Sequence, residues 1–141
     1  MEIKIKYHAD ITEIAQKENS DWVDLRSAKC VTIPPNSVAL IPLGISMELP
    51  AGYEAHIIPR GSTFKNFGII QTNHCGLIDE SYRGNNDQWF FSAYSFHGSK
   101  INMNDRICQF RIVEKQPKLN FTVVEFLSDK DRGGFGSTGV K

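Results

Sequence analysis

Several things are scarce in this chain of 141 residues: surplus charge, paired cysteines, long apolar runs and helical periodicity. Lysine and arginine number 16 against 16 aspartate and glutamate. A general binder of nucleic acid or of membrane surfaces carries an excess of cations, so neither partner is expected, although a local basic pocket remains allowed. The three cysteines, Cys30, Cys75 and Cys108, lie far apart and form no CxxC or Cys/His spacing suited to zinc. They read as reduced thiols of a cytoplasmic protein. The N-terminal MEIKIKY alternates apolar and charged residues and lacks the apolar stretch of a signal peptide. No run approaches the length of a membrane span. Helical spacing is confined to about residues 10–18, where Ile11, Ile14 and Ala15 could share a face before Asn19-Ser20-Asp21 stops it. Internal repeats, low-complexity segments and an interdomain linker are all missing, and the length fits one domain.

What is abundant is period-two alternation broken by turn residues. Ile3, Ile5 and Tyr7 alternate with Lys4 and Lys6. Strands are expected at residues 31–33 and 37–41 around the Pro34-Pro35-Asn36 turn. Others are expected at 44–49, 53–58, 67–71, 88–96, 101–103, 106–114 and 120–126. Prolines 42, 50, 59 and 117 punctuate them, as at strand ends or edges. Many short strands with frequent turns predict an all-β, jelly-roll-like barrel. The segment QWFFSAYSF (88–96) is aromatic on both faces; one face suits a core, and the other favours a subunit interface over a ligand wall.

Five segments carry candidate chemistry. RGGFGSTG (132–139) is glycine-rich, yet only Val140 and Lys141 follow, so it is not the strand-to-helix loop that cradles phosphate. It suits a flap: Arg132 offers a fork of donors to phosphate and Phe135 a face to a planar ring. The expected division is a barrel at 1–131 and a flexible arm at 132–141. PRGS (59–62) follows a strand and sets guanidinium, exposed backbone N–H and hydroxyl together, which is a plausible anion site. In GLIDESYRG (76–84), Asp79 follows the apolar pair Leu77-Ile78. A carboxylate there can act as general base, or it can simply stabilise its own turn, and the segment alone leaves both open. Asp24, Arg106 and Gln109 belong to DWVDLRSA (21–28) and NDRICQF (104–110), which are unremarkable singly.

Taken in order, DWVDLRSA, PRGST, GLIDESYRG, NDRICQF and RGGFGSTG resemble the five ordered motifs of the trimeric deoxyuridine triphosphatase (dUTPase) family. The likeness covers essentially the whole chain. STFKNFGIIQTN (62–73) and the aromatic DQWFF (87–91) resemble the form found in Bacillus species and their phages.

That resemblance implies a homotrimer with three sites at subunit junctions, hydrolysing dUTP to dUMP and pyrophosphate. The reaction keeps uracil out of DNA and supplies dUMP for thymidylate synthesis. By position, Asp79 resembles the aspartate that activates the attacking water. Tyr82 resembles the tyrosine that packs on deoxyribose and refuses a ribose hydroxyl. Asn73, with the hairpin backbone at Gly76, Leu77 and Ile78, resembles the uracil-reading edge. Arg60, Gly61, Ser62, Gln109 and Arg132 would engage the triphosphate, and Phe135, with Gly136 and Ser137, would close over the base. Asp24 and Arg106 would support the phosphate site or the trimer. Mg²⁺ would ride on phosphate oxygens and water, with no protein metal ligand.

One departure matters. The family usually has serine directly after the arginine of PRGST, touching the phosphate bridge that breaks; here Gly61 stands there and Ser62 follows. Loss of one transition-state donor costs on the order of 2–4 kcal/mol. Two other readings share the scaffold: a catalytically weakened regulatory protein that binds dUTP, and a dCTP deaminase-like enzyme. The latter needs an acid/base glutamate, and strand alternation would turn Glu80 away from Asp79.

Overall fold

The computed structural model describes residues 1–141 and is built almost wholly from antiparallel strands. They are β1 (Lys4–Tyr7), β2 (Val23–Arg26), β3 (Val31–Ile33), β4 (Ser37–Pro42), β5 (Ile45–Glu48) and β6 (Tyr53–Pro59). After the short helix α1 (Thr63–Phe67) come β7 (Ile69–Gln71), β8 (Gly76–Ile78), β9 (Phe90–Ser95), β10 (Ser99–Ile101) and β11 (Arg106–Glu114). A four-stranded sheet in the order β2-β11-β6-β8 faces a three-stranded sheet β4-β9-β7, with the pairs β1-β5 and β10-β3 completing a jelly-roll-like barrel. No helix is long and apolar enough to cross a membrane.

The core follows from alternation. Along β9 and its approach, Trp89, Phe91, Ala93 and Ser95 point inward and are fully buried, while Phe90, Tyr94 and Phe96 point outward. Trp89 meets Phe110 edge-on at 5.3 Å. Leu25, Ile41, Leu43, Ile45, Ile57 and Ile107 close the same cluster. Truncating Phe91 to alanine there costs about 3–5 kcal/mol. The outward aromatics share their face with Val38 and Leu40 of β4 and Ile70 of β7, all exposed in the single chain. Phe64 of α1 meets Phe96 at this face. Turn chemistry is local: Asn36 takes φ 53°, which asparagine tolerates. Gly44 takes φ 72°, and a Cβ there would sit 3.0 Å from Ala28 Cβ.

Three expectations are corrected. No helix forms at 10–18. The amides of Thr12 and Ile14 donate to Asn104 Oδ1 (2.8 Å) and Tyr7 Oη (2.7 Å), so they make no helical ladder. The one helix is α1, five residues long and ended by Gly68 at φ 65°, whose N–H donates to Phe64 O at 2.7 Å. No strand forms at 120–126: Leu119, Phe121 and Val123 alternate as a strand would, but all are exposed and no neighbouring strand pairs with them. The strand expected at 101–103 lies at Ser99–Ile101, because Asn104 turns the chain at φ 77°.

Candidate active site

One end of the four-stranded sheet gathers an arginine pair around a carboxylate. In the ladder Gln109 of β11 stands opposite Asp24 of β2 on one side and Ile58 of β6 on the other. This register brings together residues that are 36 to 82 positions apart. Asp24 accepts from Arg60 Nε at 3.0 Å through one oxygen and from Arg106 Nη1 at 3.2 Å through the other. Arg60 Nη1 also reaches the carbonyl of Arg106 at 3.4 Å. Two cations against one anion leave this end positive, and Arg60 keeps Nη2 uncommitted. Gln109 Nε2 donates to Pro59 O at 3.1 Å, fixing the strand end from which Arg60 springs.

The turn after β6 is organised by a residue that motif reading passed over. Buried Thr63 accepts from Arg60 N at 2.8 Å and donates to Ile107 O at 2.9 Å, tying the arginine's backbone to β11. The spacing R-x-x-T, where a hydroxyl can fold back on the arginine amide, is the signal that could have found it. Ser62 stands at the start of α1 and makes no capping hydrogen bond, so its hydroxyl is free for a ligand. Gly61 is exposed, and a Cβ added there meets nothing within 4 Å. Beside it lies a cavity of about 360 Å³ lined by Arg60, Gly61, Phe64, Ile70, Gln71 and His74, among others. Near Asp24 and Arg60, Cys108 is fully buried; desolvation, then the Asp24 carboxylate, pushes its thiol well above the ordinary range. It is an inert core thiol.

Asp79 lies elsewhere. Gly76 starts β8 in close contact with β6, where a Cβ would come within 3.2 Å of Ile57 Cβ. β8 then runs Gly76↔Ile57, Leu77↔His56, Ile78↔Ala55. Asp79 is the next residue, on an exposed turn. Its Oδ2 accepts both the amide of Ser81, at 2.8 Å, and the Ser81 hydroxyl. These bonds, the hydroxyl foremost, hold its carboxyl below the ordinary range. Turn stabilisation is thus part of what Asp79 does, but it occupies one oxygen only; Oδ1 makes no hydrogen bond. Ser81 was not singled out in the sequence, although D-x-S is a recognisable Asx-type turn. Tyr82 Oη donates to Gln88 O at 2.7 Å, which pins the ring on the surface. Asn73 is exposed in the turn between β7 and β8, where its carbonyl accepts from Cys75 N, and Leu77 is exposed on β8.

Within one chain these groups do not converge. Asp79 falls opposite Glu54, at the start of β6, whereas Arg60 follows its end. Six residues of extended strand span about 20 Å. The last group is separate again. From Glu114 to Lys141 every residue is exposed, and beyond Lys115 the only backbone hydrogen bonds are Ser137 N to Gly134 O (3.0 Å) and Gly139 N to Gly136 O (2.8 Å). Arg132, Phe135, Gly136 and Ser137 therefore project with no partner on their own barrel; Phe135 holds φ 50° with its ring wholly in solvent. No three His, Cys, Asp or Glu side chains cluster as a metal site.

The dUTPase family model matches residues 9–139. The chain belongs to the dUTPase family. It is 56% identical over 142 aligned residues to the SPbeta prophage-derived deoxyuridine 5'-triphosphate nucleotidohydrolase YosS of Bacillus subtilis, with 100% of each chain covered. It is 37% identical over 144 aligned residues to the deoxyuridine 5'-triphosphate nucleotidohydrolase of Helicobacter pylori strain P12, covering 99% of this chain and 98% of that one. Among solved structures, the Staphylococcus bacteriophage 80alpha dUTPase with dUPNHPP superposes with a TM-score of 0.81 at 20% identity, 99% of each chain being covered. The Streptococcus mutans dUTPase gives 0.73 at 18% identity, over 82% of this chain and 98% of that one. These two structures speak to the dUTPase fold, and the prophage relative places the chain with the phage-like members.

Proposed function

We propose that this dUTPase-family chain hydrolyses dUTP to dUMP and pyrophosphate at sites completed between copies. The observation that carries the proposal is the separation of its chemical parts. An open-oxygen carboxylate on the turn after β8, an arginine pair about 20 Å away and an unpartnered arm make one site only if different chains contribute them. The outward face of Val38, Leu40, Ile70, Phe90 and Phe96 supplies an apolar surface for a homotrimer to bury.

In the assembled site Asp79 Oδ1 takes a proton from water as the water oxygen attacks the α-phosphorus in line. The bond from that phosphorus to the bridging oxygen breaks, and pyrophosphate leaves. Arg60, poised by Asp24 and Thr63, meets the charge growing on the leaving oxygens with its free Nη2, helped by Ser62, Gln109 and Arg132. Asn73 and the backbone of residues 76–78 read uracil. Tyr82, pinned through Gln88, occupies the space a ribose hydroxyl would need. Phe135 stacks on the base when the arm closes. The donor set fits Mg²⁺ carried by the nucleotide. Asp24 is already committed to two arginines and no cluster of protein ligands is present, so the ion would be held by phosphate and water and would neutralise phosphate charge. A cytoplasmic enzyme that limits uracil in DNA and supplies dUMP fits this chemistry.

Glu80 bears on the deaminase reading: its carboxylate is spent on Gly52 N and Lys115, turned from Asp79. A weakened, dUTP-binding regulatory protein is favoured only by Gly61. Pyrophosphate release measured against every dNTP and UTP tests the proposal. Release from dUTP alone, abolished in Asp79→Asn, is expected. Ammonia from dCTP, or tight dUTP binding without turnover, would replace it with one of the other readings.

A further inference from the structure

Glu80 has no place in the chemistry above, yet it makes two hydrogen bonds that tie the Asp79 turn to the barrel, beside the longer ion pair of Arg83 with Glu48 at 3.6 Å. The β8 ladder ends at Ile78, one residue before the carboxylate that must meet a water at a defined position. Beyond it, Asp79 and Ser81 bond only within the turn, and Tyr82 reaches forward to Gln88 in the loop that follows. Glu80 turns back instead. Its Oε1 accepts from Gly52 N at 3.1 Å, on the turn between β5 and β6, and its Oε2 accepts from Lys115 Nζ at 3.0 Å. Lys115 is itself bound to the same turn, its amide donating to Gly52 O at 2.9 Å. Glu80, Gly52 and Lys115 thus form a closed three-point junction. Lys115 is also the last residue whose backbone bonds to the barrel before the exposed arm, so the junction stands at the arm's root. Glu54 and Asp79 face the same lysine.

We propose that Glu80, with Lys115, is a positioning residue for Asp79, holding the turn so that Oδ1 keeps its place while the substrate is bound elsewhere. The inference rests on reading Asp79 as the base. An exposed ion pair contributes little to stability, but an error of about 1 Å at a reacting group can lower the rate by about a hundredfold. The junction's effect is therefore in turnover and not in folding.

The test is steady-state dUTP hydrolysis by the full chain carrying Glu80→Ala, Glu80→Gln, Lys115→Met, the Glu80→Ala/Lys115→Met double variant and, in parallel, Asp79→Asn. Expected is a kcat about tenfold lower for Glu80→Ala with KM within about twofold. Glu80→Gln, which still accepts from Gly52 N, should recover most of that loss. The double variant should be no worse than Glu80→Ala, as members of one junction are not additive. Thermal melts within a few degrees of the parent should accompany these changes, and Lys115→Met, a surface change, serves if Glu80→Ala folds poorly. If Asp79→Asn is inactive while Glu80→Ala and Lys115→Met both keep kcat within about twofold of the parent, the positioning role is wrong and Asp79 stands. Losses that add in the double variant, or that fall on KM, also overturn it. Retained turnover in Asp79→Asn removes the base reading itself.

Discussion

Two inactive chains should restore each other. Asp79 and the Arg60–Asp24–Arg106 group sit at opposite ends of β6, about 20 Å apart, so a triphosphate cannot touch both on one barrel. In Asp79→Asn the base is lost, worth about 10²–10⁴ in rate. In Arg60→Ala a charge-stabilising donor is lost, worth about 10²–10³. Each homogeneous protein should therefore turn over at about one per cent of the parent or less. Unfold the two together in equal amounts, refold, and each site draws its carboxylate from one chain and its arginine from another. Each draw is intact half the time, so about a quarter of the sites carry both. Pyrophosphate release from dUTP should rise to about a quarter of the parent rate, at least tenfold above either protein alone. Mixing without unfolding gives the baseline. A co-refolded sample that only averages its two components would refute the argument, because it would mean that each chain builds its own site.

Gly61→Ser should raise kcat several-fold with an unchanged melt, because a Cβ there meets nothing within 4 Å and the added hydroxyl can reach the breaking bridge; an equal or lower rate would show that Ser62 or the Gly61 amide already does that work. Deleting residues 132–141 should lower dUTP turnover on the order of a hundredfold while leaving melting and oligomer size unaltered, since the arm bonds to nothing on its own barrel; normal turnover in the truncated protein removes the flap. The pH profile follows from Ser81. As the proposed base Asp79 acts in its charged form, and its depressed pKa keeps it charged to lower pH, so the acidic limb of kcat/KM should lie below the ordinary carboxylate range. Ser81→Ala should move that acidic limb upward, and an unmoved limb would assign it to another group.

The long strands are plain in the sequence because Tyr53–Pro59 alternates, Arg106–Glu114 alternates from Cys108 onward past the bulge at its start, and each lies between well-marked turns. Residues 10–18 carry a helical spacing, but Tyr7 and Asn104 capture two of the amides a helix would need, and both captors are invisible to local pattern. Residues 120–126 fail for the complementary reason: Phe121 and Val123 alternate properly, and a strand still requires a neighbour to bond with. α1 is too short for periodicity to register. In the candidate site, motif order drew Asp24, Arg60 and Arg106 together before any geometry was known, yet only the β2-β11-β6 register explains how one carboxylate serves both arginines. Thr63 and Ser81 carry only the brief local signals R-x-x-T and D-x-S, which the motif residues beside them overshadow, and Lys115 carries none, because its partners Glu80 and Gly52 are distant in sequence.

The open face of Val38, Leu40, Ile70, Phe90 and Phe96 has a further consequence. If the proposed trimer covers it, a newly made barrel holding that much grease toward water is sticky until it meets its sisters, and ripening of the molecule is a race between correct encounter and clumping. Dilution would then act as a gentle denaturant, and robustness would belong to the assembled particle and not to the lone polypeptide.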